Sequence, residues 1–240
     1  MYIRRINRAF IIFTVFLSIM GGVYTMVYAA AMVPLTVPVK TVDDPPVFID
    51  TVQLPVIIPD TSLVAERIVC YDGHYVEDGS EDVVSGIAAL YLHNSGDVMV
   101  ASCRVIIRLE DGLYRFEATC IPPGSTVLVL EKSRRPYFDM GIYSVGGRAS
   151  NGNKKDLHDS LHIESFMGGL RIQNTAESDY ASLCICHKNY DPVNNIYIGG
   201  VTYVTYADSM APGAYADIWP VHFGDESRIV CITGKIKDAQ

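Results

Sequence analysis

The chain has 240 residues and a formal net charge of −8 at pH 7, and 49% of its residues are hydrophobic. Without the first 31 residues, which contain three arginines and no acidic side chain, 16 basic residues stand against 27 acidic ones. Binding to nucleic acid needs clustered Lys and Arg to neutralise phosphates, and the basic residues here are scattered. The composition therefore argues against nucleic acid as a partner and is typical of a soluble, acidic surface.

The N-terminal segment is predicted to direct export. The stretch from Ala9 to Val39 contains no charged side chain, and it follows Arg4, Arg5 and Arg8. Such a pattern is typical of a signal peptide, with cleavage after Ala29 or Ala31, or of an uncleaved hydrophobic helix that spans the membrane once. Under either alternative the rest of the chain is secreted or lies on the extracytoplasmic side of the cell membrane.

A proline-rich spacer is predicted to follow. Six of the twelve prolines fall between Pro34 and Pro59. Proline fixes φ and removes amide donors, so this stretch favours a semi-rigid stalk. The apolar run Val56-Ile57-Ile58 supports a second interpretation, in which part of the stretch is an edge strand laid on the following domain.

From Thr61 onward, short alternating apolar runs bounded by turn-forming residues predict β-structure, and two stretches resemble each other. Asn94 and Asn174 each end an apolar strand and lie 80 residues apart, and Gly124 and Gly213, each in a Pro-Gly pair, lie 89 residues apart. A repeat of this period is typical of tandem β-sandwich domains, with the asparagines and glycines forming turns. The predicted segments are residues 1–31 (signal peptide or anchor), 32–60 (spacer), 61–140 (β-sandwich domain 1), 141–156 (connector) and 157–240 (β-sandwich domain 2).

Asp111-Gly112 predicts a two-residue hairpin turn in the first repeat. This turn would pair residues whose numbers sum to 223, so that Cys103 lies opposite Cys120. The alternation places Val105, Ile107 and Leu109, with Tyr114, Phe116 and Ala118, on one apolar face. An oxidising exterior would allow a Cys103–Cys120 disulfide, and two buried free thiols are the alternative.

The other titratable residues predict no catalytic site, no metal site and no cofactor. Cys184-Ile185-Cys186-His187 is the densest cluster, but on a strand the two cysteines face one side and His187 the other. Cys231 is a candidate partner of Cys184 or Cys186, and Cys70 has no evident one. The acidic residues around Gly79, which are Glu77, Asp78, Glu81 and Asp82, lack the regular spacing of a calcium loop and are interpreted as a solvated turn.

Aromatic residues crowd the second repeat and are a candidate binding surface, because Tyr and Trp commonly contact sugars and protein partners. Packing within the sheet is the alternative interpretation. Tyr203 and Tyr206 fall on opposite faces of a regular strand, so at least one of them should be exposed. The candidate residues are Tyr197, Tyr203, Tyr206, Tyr215 and Trp219.

The order of apolar strand, Asn94-Ser95-Gly96, alternating strand, Asp111-Gly112, strand and Pro122-Pro123-Gly124 resembles the immunoglobulin-like modules of bacterial exported proteins, of the FxLYD and CARDB type. The resemblance covers residues 84–132 and, more weakly, 169–219. It implies an all-β fold of two tandem immunoglobulin-like sandwiches used as spacers or binding modules, without catalytic residues.

Together these features predict a non-catalytic adhesion, binding or display protein whose partner is another envelope protein or a glycan. One alternative is a structural subunit of an envelope assembly such as a pilus or a secretion machine, with sandwiches paired edge to edge. A second alternative is an enzyme whose site lies between the domains, around residues 138–155.

Overall fold

The computed structural model describes residues 35–36, 46–51, 53–80, 82–138, 141–142, 144–152 and 155–237. These residues belong to one compact unit, and the predicted all-β class is confirmed. The N-terminal helix predicted within residues 1–31 lies outside the described residues. Within the described ranges, no helix has the length and apolar character needed to cross a membrane. The strands are β1 (Leu35–Thr36), β2 (Val47–Asp50), β3 (Val56–Ile57), β4 (Leu63–His74), β5 (Val83–Asn94), β6 (Val100–Leu109), β7 (Gly112–Ile121), β8 (Thr126–Leu130), β9 (Ser144–Asn151), β10 (Leu161–Phe166), β11 (Gly169–Asn174), β12 (Tyr180–Asp191), β13 (Ile196–Ala207), β14 (Tyr215–Ile218) and β15 (Ser227–Ile236).

Residues 46–152, the first half, enclose one hydrophobic core. Strands β3, β4, β5 and β8 are neighbours in one sheet, and β2, β9, β6 and β7 form another in that order. Inward-facing residues of both sheets share the core, as the fully buried Leu90 of β5 and Phe116 of β7 illustrate. Ile58, which follows β3, is fully buried in the same core. Residues 47–50 and 56–57 are therefore paired strands, as the edge-strand interpretation of the proline-rich stretch predicts.

Residues 155–237, the second half, enclose a separate core. Strands β15, β12 and β13 lie side by side, and β10, β11 and β14 form a small antiparallel sheet. Leu170 and Ile172 of the small sheet share a buried cluster with Leu183 and Ile185 of β12. Each half is thus two sheets around apolar side chains, which is the usual way for a sheet to bury its hydrophobic face.

One sheet runs through both halves. Strand β13 pairs in parallel with β8 through Tyr197 opposite Val127 and Ile198 opposite Leu128. The order β15-β12-β13-β8-β5-β4-β3 is therefore continuous, and β1 pairs with β13 beside it. The halves are joined by backbone hydrogen bonds as well as by side chains.

The hairpin of β6 and β7 has the predicted faces but a different register. Leu109 pairs with Gly112, so the two turn residues are Glu110 and Asp111, and paired numbers sum to 221. The predicted turn at Asp111-Gly112 is wrong by one position, because Gly112 is the first residue of β7. Gly112 has a φ of 136°, and an ideal Cβ at this position would lie 2.8 Å from the Arg135 guanidinium. A register change of two residues leaves every side chain on its face. The predicted apolar face is accordingly buried.

The predicted disulfide between Cys103 and Cys120 is not formed. Cys103 lies opposite Ala118 in the observed register and is buried in the core of the first half. Cys120 belongs to a different buried cluster, and none of the six cysteines forms a disulfide. The two-residue change in register separates the predicted partners.

The internal repeat seen in the sequence corresponds to a repeated hydrogen-bond network. The buried amide of Asn94 donates to the carbonyls of Val98 and Ile121, and its oxygen accepts from the N–H of Gly96. The N–H of Gly124, at φ 65°, donates to the Asn94 carbonyl. Asn94 thus fixes the end of β5 against the Pro123-Gly124 turn.

Asn174 makes the equivalent contacts in the second half. Its amide donates to the carbonyls of Ser178 and Met210, and its oxygen accepts from the N–H of Ala176. Gly213, at φ 76°, donates its N–H to the Asn174 carbonyl. The four predicted turn residues Asn94, Gly124, Asn174 and Gly213 therefore have the same two roles in both halves.

We predict that Asn94→Ala and Asn174→Ala each lower the free energy of unfolding by about 3 kcal/mol, because each leaves buried carbonyl groups without a donor. Urea denaturation followed by fluorescence measures this loss. Asn194→Ala is the matched control, since Asn194 is an exposed turn residue, and it should change stability by less than about 0.5 kcal/mol. Equal small losses for all three variants would contradict a structural role of the repeat.

Candidate functional site

Three buried thiols meet where the two halves join. Cys120 lies near the end of β7, Cys186 on β12 and Cys231 on β15, and their three sulfur atoms all lie within 4.8 Å of one another. We call these residues the thiol cluster. Its members come from both halves and from three strands, so the cluster depends on how the halves pack.

The strands position these thiols in two ways. Cys186 and Cys231 lie directly opposite each other in the antiparallel pair of β12 and β15, beside an irregularity in the register. Cys120 adopts φ 47°, which interrupts the alternation of β7. As a result Cys120 and its neighbour Thr119 both contact the second half: Thr119 donates to the Thr202 hydroxyl, and that hydroxyl donates to the Thr119 carbonyl.

The three thiols of the cluster differ in pKa. The thiols of Cys186 and Cys231 donate hydrogen bonds to the Cys120 sulfur and lower its pKa, with a further contribution from the charge of Lys188. The same contact with Cys120 raises the pKa of Cys186 and of Cys231. By contrast, Cys103 is surrounded by core side chains, and burial raises its pKa to about 12. The arrangement favours one thiolate, on Cys120, held by two thiols.

A buried ammonium group lies beside the thiol cluster. Lys188 of β12 is fully buried, and its Nζ donates to the carbonyls of Gly199, Gly200 and Val201 at 3.2, 2.7 and 2.8 Å. Burial lowers the pKa of Lys188 to about 8, against the opposing effect of Glu77. Three acceptors satisfy all three donors of the ammonium group, which is what allows a charge at this depth.

The Glu77 carboxylate holds the same backbone segment through its amides. It accepts from the N–H of Gly200 at 2.8 Å and of Val201 at 3.0 Å, and from that of Leu130 on β8 at 2.8 Å. Burial raises the pKa of Glu77, and the three N–H donors and Lys188 oppose that effect. Residues 199–201 are thus held by a cation on their carbonyls and an anion on their amides. We call Lys188, Glu77 and this segment the junction clamp.

Sequence reasoning missed both charged members of the junction clamp. The interpretation of the acidic stretch as a solvated turn is correct for Asp78 and Asp82, which pair with Arg134 at the surface, and wrong for Glu77, which bonds the backbone of Gly200. Lys188 follows the Cys184–His187 cluster without any spacing that signals a role. The one sequence signal is Gly199-Gly200, a glycine pair within a strand, which is typical of close backbone approach.

The side chains of the Cys184–His187 cluster separate as alternation predicts. Cys184 packs against the thiol cluster on the same side as Cys186. His187 points to the other side, where its ring stacks on Tyr203 at 5.4 Å and meets Phe223 edge-on at 5.2 Å. Burial lowers the pKa of His187 to about 4, so this imidazole is neutral at neutral pH.

The outer face of the small sheet carries exposed aromatic and charged side chains. Tyr215 is 68% exposed and Trp219 65% exposed. Arg171, on the middle strand, forms two hydrogen bonds with Asp217, at 2.7 and 2.8 Å. Its guanidinium also lies over the Phe166 ring at 5.8 Å and the Tyr215 ring at 5.6 Å. We call these five residues the aromatic face.

A glycine allows Trp219 to lie across this sheet. A Cβ on Gly169 would come within 3.1 Å of the Trp219 Nε1 and 3.0 Å of the Phe166 ring. Phe166 and Trp219 pack edge to face there, with ring centroids 5.8 Å apart. Gly169 thus leaves the space in which two aromatic side chains meet above the strand.

The five aromatic residues predicted as a candidate surface do not form one surface. Tyr215 and Trp219 belong to the aromatic face, but Tyr203 is buried against His187 and was wrongly included. Tyr197 is partly buried and packs against core residues, and Tyr206 is exposed on β13. The prediction that at least one of Tyr203 and Tyr206 is exposed is confirmed.

No protein-family model, no curated protein and no solved structure matches this chain.

We predict that Lys188→Met lowers the free energy of unfolding by about 4 kcal/mol, because it leaves three buried carbonyls without a donor and Glu77 without its opposite charge. Chemical denaturation measures the loss, and the double variant Lys188→Met/Glu77→Gln should recover part of it. Lys237→Met is the matched control, since Lys237 forms only a surface ion pair with Asp179 at 3.6 Å and should cost less than about 1 kcal/mol. A similar loss in both single variants would contradict the role of the junction clamp.

Proposed function

We propose that this chain is an extracytoplasmic, non-catalytic binding protein that presents the aromatic face to a glycan of the cell envelope. Two tandem immunoglobulin-like sandwiches, held at the membrane or secreted, would carry that face. The observation that carries the proposal is the row of exposed Tyr215 and Trp219 on either side of the Arg171–Asp217 pair.

The chemistry of the aromatic face suits a sugar polymer. Aromatic rings offer flat apolar surfaces for the C–H faces of sugar rings, and a fixed Arg–carboxylate pair offers donors and acceptors for hydroxyl groups. Tyr215 and Trp219 are four positions apart, which corresponds to roughly 13 Å along an extended strand. Two rings at that spacing match an extended chain better than a single sugar.

Charge favours a neutral or weakly charged glycan. Asp217 and Glu164 lie on the same rung of the sheet as Arg171, directly across the strands from it. Two carboxylates beside one guanidinium would repel a polyanion, in agreement with the acidic balance of the whole chain.

The N-terminal segment supports the proposed extracytoplasmic location. An uncharged stretch of this length behind three arginines is typical of exported proteins, and the extracytoplasmic space is where an envelope glycan is accessible. The junction clamp supports a display role as well, because Lys188 of the second half and Glu77 of the first bond the same backbone segment and so hold the two halves together.

We predict that the chain is retained on insoluble peptidoglycan or retarded in gels that contain neutral polysaccharide. Trp219→Ala and Tyr215→Ala should each weaken that binding by about tenfold or more, because each removes a stacking surface. Affinity electrophoresis and sedimentation with peptidoglycan measure the effect.

Tyr206→Ala is the matched control, because Tyr206 is an exposed tyrosine outside the aromatic face, and its binding should equal that of the unaltered chain. Equal binding by Trp219→Ala would contradict the proposal. Recovery of the chain from an envelope fraction in a fixed-stoichiometry complex with another protein, without retention on any glycan, would instead favour a subunit of an envelope assembly.

A further inference from the structure

Three cysteines whose sulfur atoms meet need a different explanation from cysteines that are buried separately. A single buried cysteine packs as a small apolar side chain, as Cys103 does in the core of the first half. Cys120, Cys186 and Cys231 instead direct their sulfur atoms to one point from three strands, and all are free. Packing alone does not require three polarizable sulfurs to converge.

We propose that the thiol cluster binds a soft d10 metal ion, Zn²⁺ or Cu⁺, through the sulfurs of Cys120, Cys186 and Cys231. Thiolates are the ligands that these ions prefer. A metal–sulfur bond of about 2.3 Å sets neighbouring sulfurs about 3.8–4.0 Å apart. The observed sulfur atoms lie within 4.8 Å of one another, so small side-chain rotations bring them to that spacing.

The surroundings suit a thiolate site. Each sulfur would bind the ion as a thiolate, and every thiol that binds would release its proton to solvent, so the site gains one negative charge for each ligand. With Zn²⁺ the centre has a charge of −1 on three thiolates and −2 when Cys184 is the fourth, and the buried ammonium of Lys188, two positions after Cys186 on β12, provides a positive charge nearby. The site draws ligands from both halves, so a bound ion would connect β7 to β12 and β15.

Cys184 allows a site for Zn²⁺ to be distinguished from a site for Cu⁺ by the number of sulfur ligands. It lies two positions before Cys186 on the same side of β12, and its thiol contacts that of Cys186. Zn²⁺ in a closed protein site takes four ligands, which Cys184 would complete, whereas Cu⁺ is satisfied by three thiolates. Loss of Cys184 should therefore weaken binding of Zn²⁺ and leave binding of Cu⁺ unchanged.

The test uses the full chain, purified in detergent with a reductant and without added chelator. Titration with Co²⁺ should produce a sulfur-to-metal charge-transfer band in the near ultraviolet, and Zn²⁺ should displace the Co²⁺. Cu⁺ is titrated separately against a competing Cu⁺ chelator. Cys120→Ala, Cys186→Ala and Cys231→Ala should each weaken binding at least tenfold, and Cys184→Ala should weaken binding of Zn²⁺ but not of Cu⁺.

Cys103→Ala is the matched control, a buried cysteine outside the thiol cluster that should bind metal as the unaltered chain does. Circular dichroism of each variant checks that it folds, and the Co²⁺ band of the unaltered chain tests the proposal even where a variant does not. Absence of that band together with absence of Cu⁺ binding would overturn the proposal. So would a Cys186–Cys231 disulfide in protein isolated with its thiols trapped, or an equal loss of binding in Cys103→Ala.

Discussion

The arrangement of the two halves depends on the buried ammonium group of Lys188, which donates hydrogen bonds to the backbone of β13. Lys188 donates to three successive carbonyls of residues 199–201, and Glu77 from the other half accepts from two amides of the same segment. Lys188 is fully buried and Glu77 partly buried, and the Lys188 charge would not be tolerated alone, since desolvation costs more than an isolated hydrogen bond returns. Together they fix the position at which β13 meets β8 and passes under β7.

That position allows the thiol cluster to form. A Cβ on Gly200 would lie 1.9 Å from the Glu117 carbonyl oxygen of β7, so only glycine permits the approach of β13 to β7. The approach places Thr119 on Thr202 and brings Cys120, the next residue of β7, to Cys186 and Cys231. The aromatic face lies on the outer side of the second core, on a sheet that takes no part in this junction. The proposed glycan-binding surface and the proposed metal site are therefore structurally separate.

The sequence predicts what depends on local pattern and misses what depends on packing between distant strands. Alternation identified the buried face of β6 and β7, because side-chain direction has a period of two. It did not detect the two-residue change of register, because such a change preserves the faces, and so it paired Cys103 with Cys120 wrongly. Asn94 and Asn174 were identified as turn residues because their contacts are local or lie within the repeat. The partners of Cys120 and two of the three N–H donors to Glu77 belong to the other half of the chain, and Lys188 bonds the backbone of the neighbouring strand. No spacing within one strand indicates these contacts.

The difference between the two repeats accounts for the joining of the halves. The spacing from Ala101 to Gly124 is nine residues shorter than that from Ala181 to Gly213, and the hairpin of β12 and β13 is correspondingly longer than that of β6 and β7. When the second repeat is aligned with the first from each end in turn, the nine additional residues fall at about 190–200, around the tip of the hairpin of β12 and β13. This is where Tyr197 and Ile198 pair with β8 and where the segment held by Lys188 begins. The residues that pair with β8, and the amide donors that Glu77 takes from the second half, therefore lie in or next to the additional residues. The longer hairpin of the second repeat is thus the element that joins the strands of the two halves in one sheet.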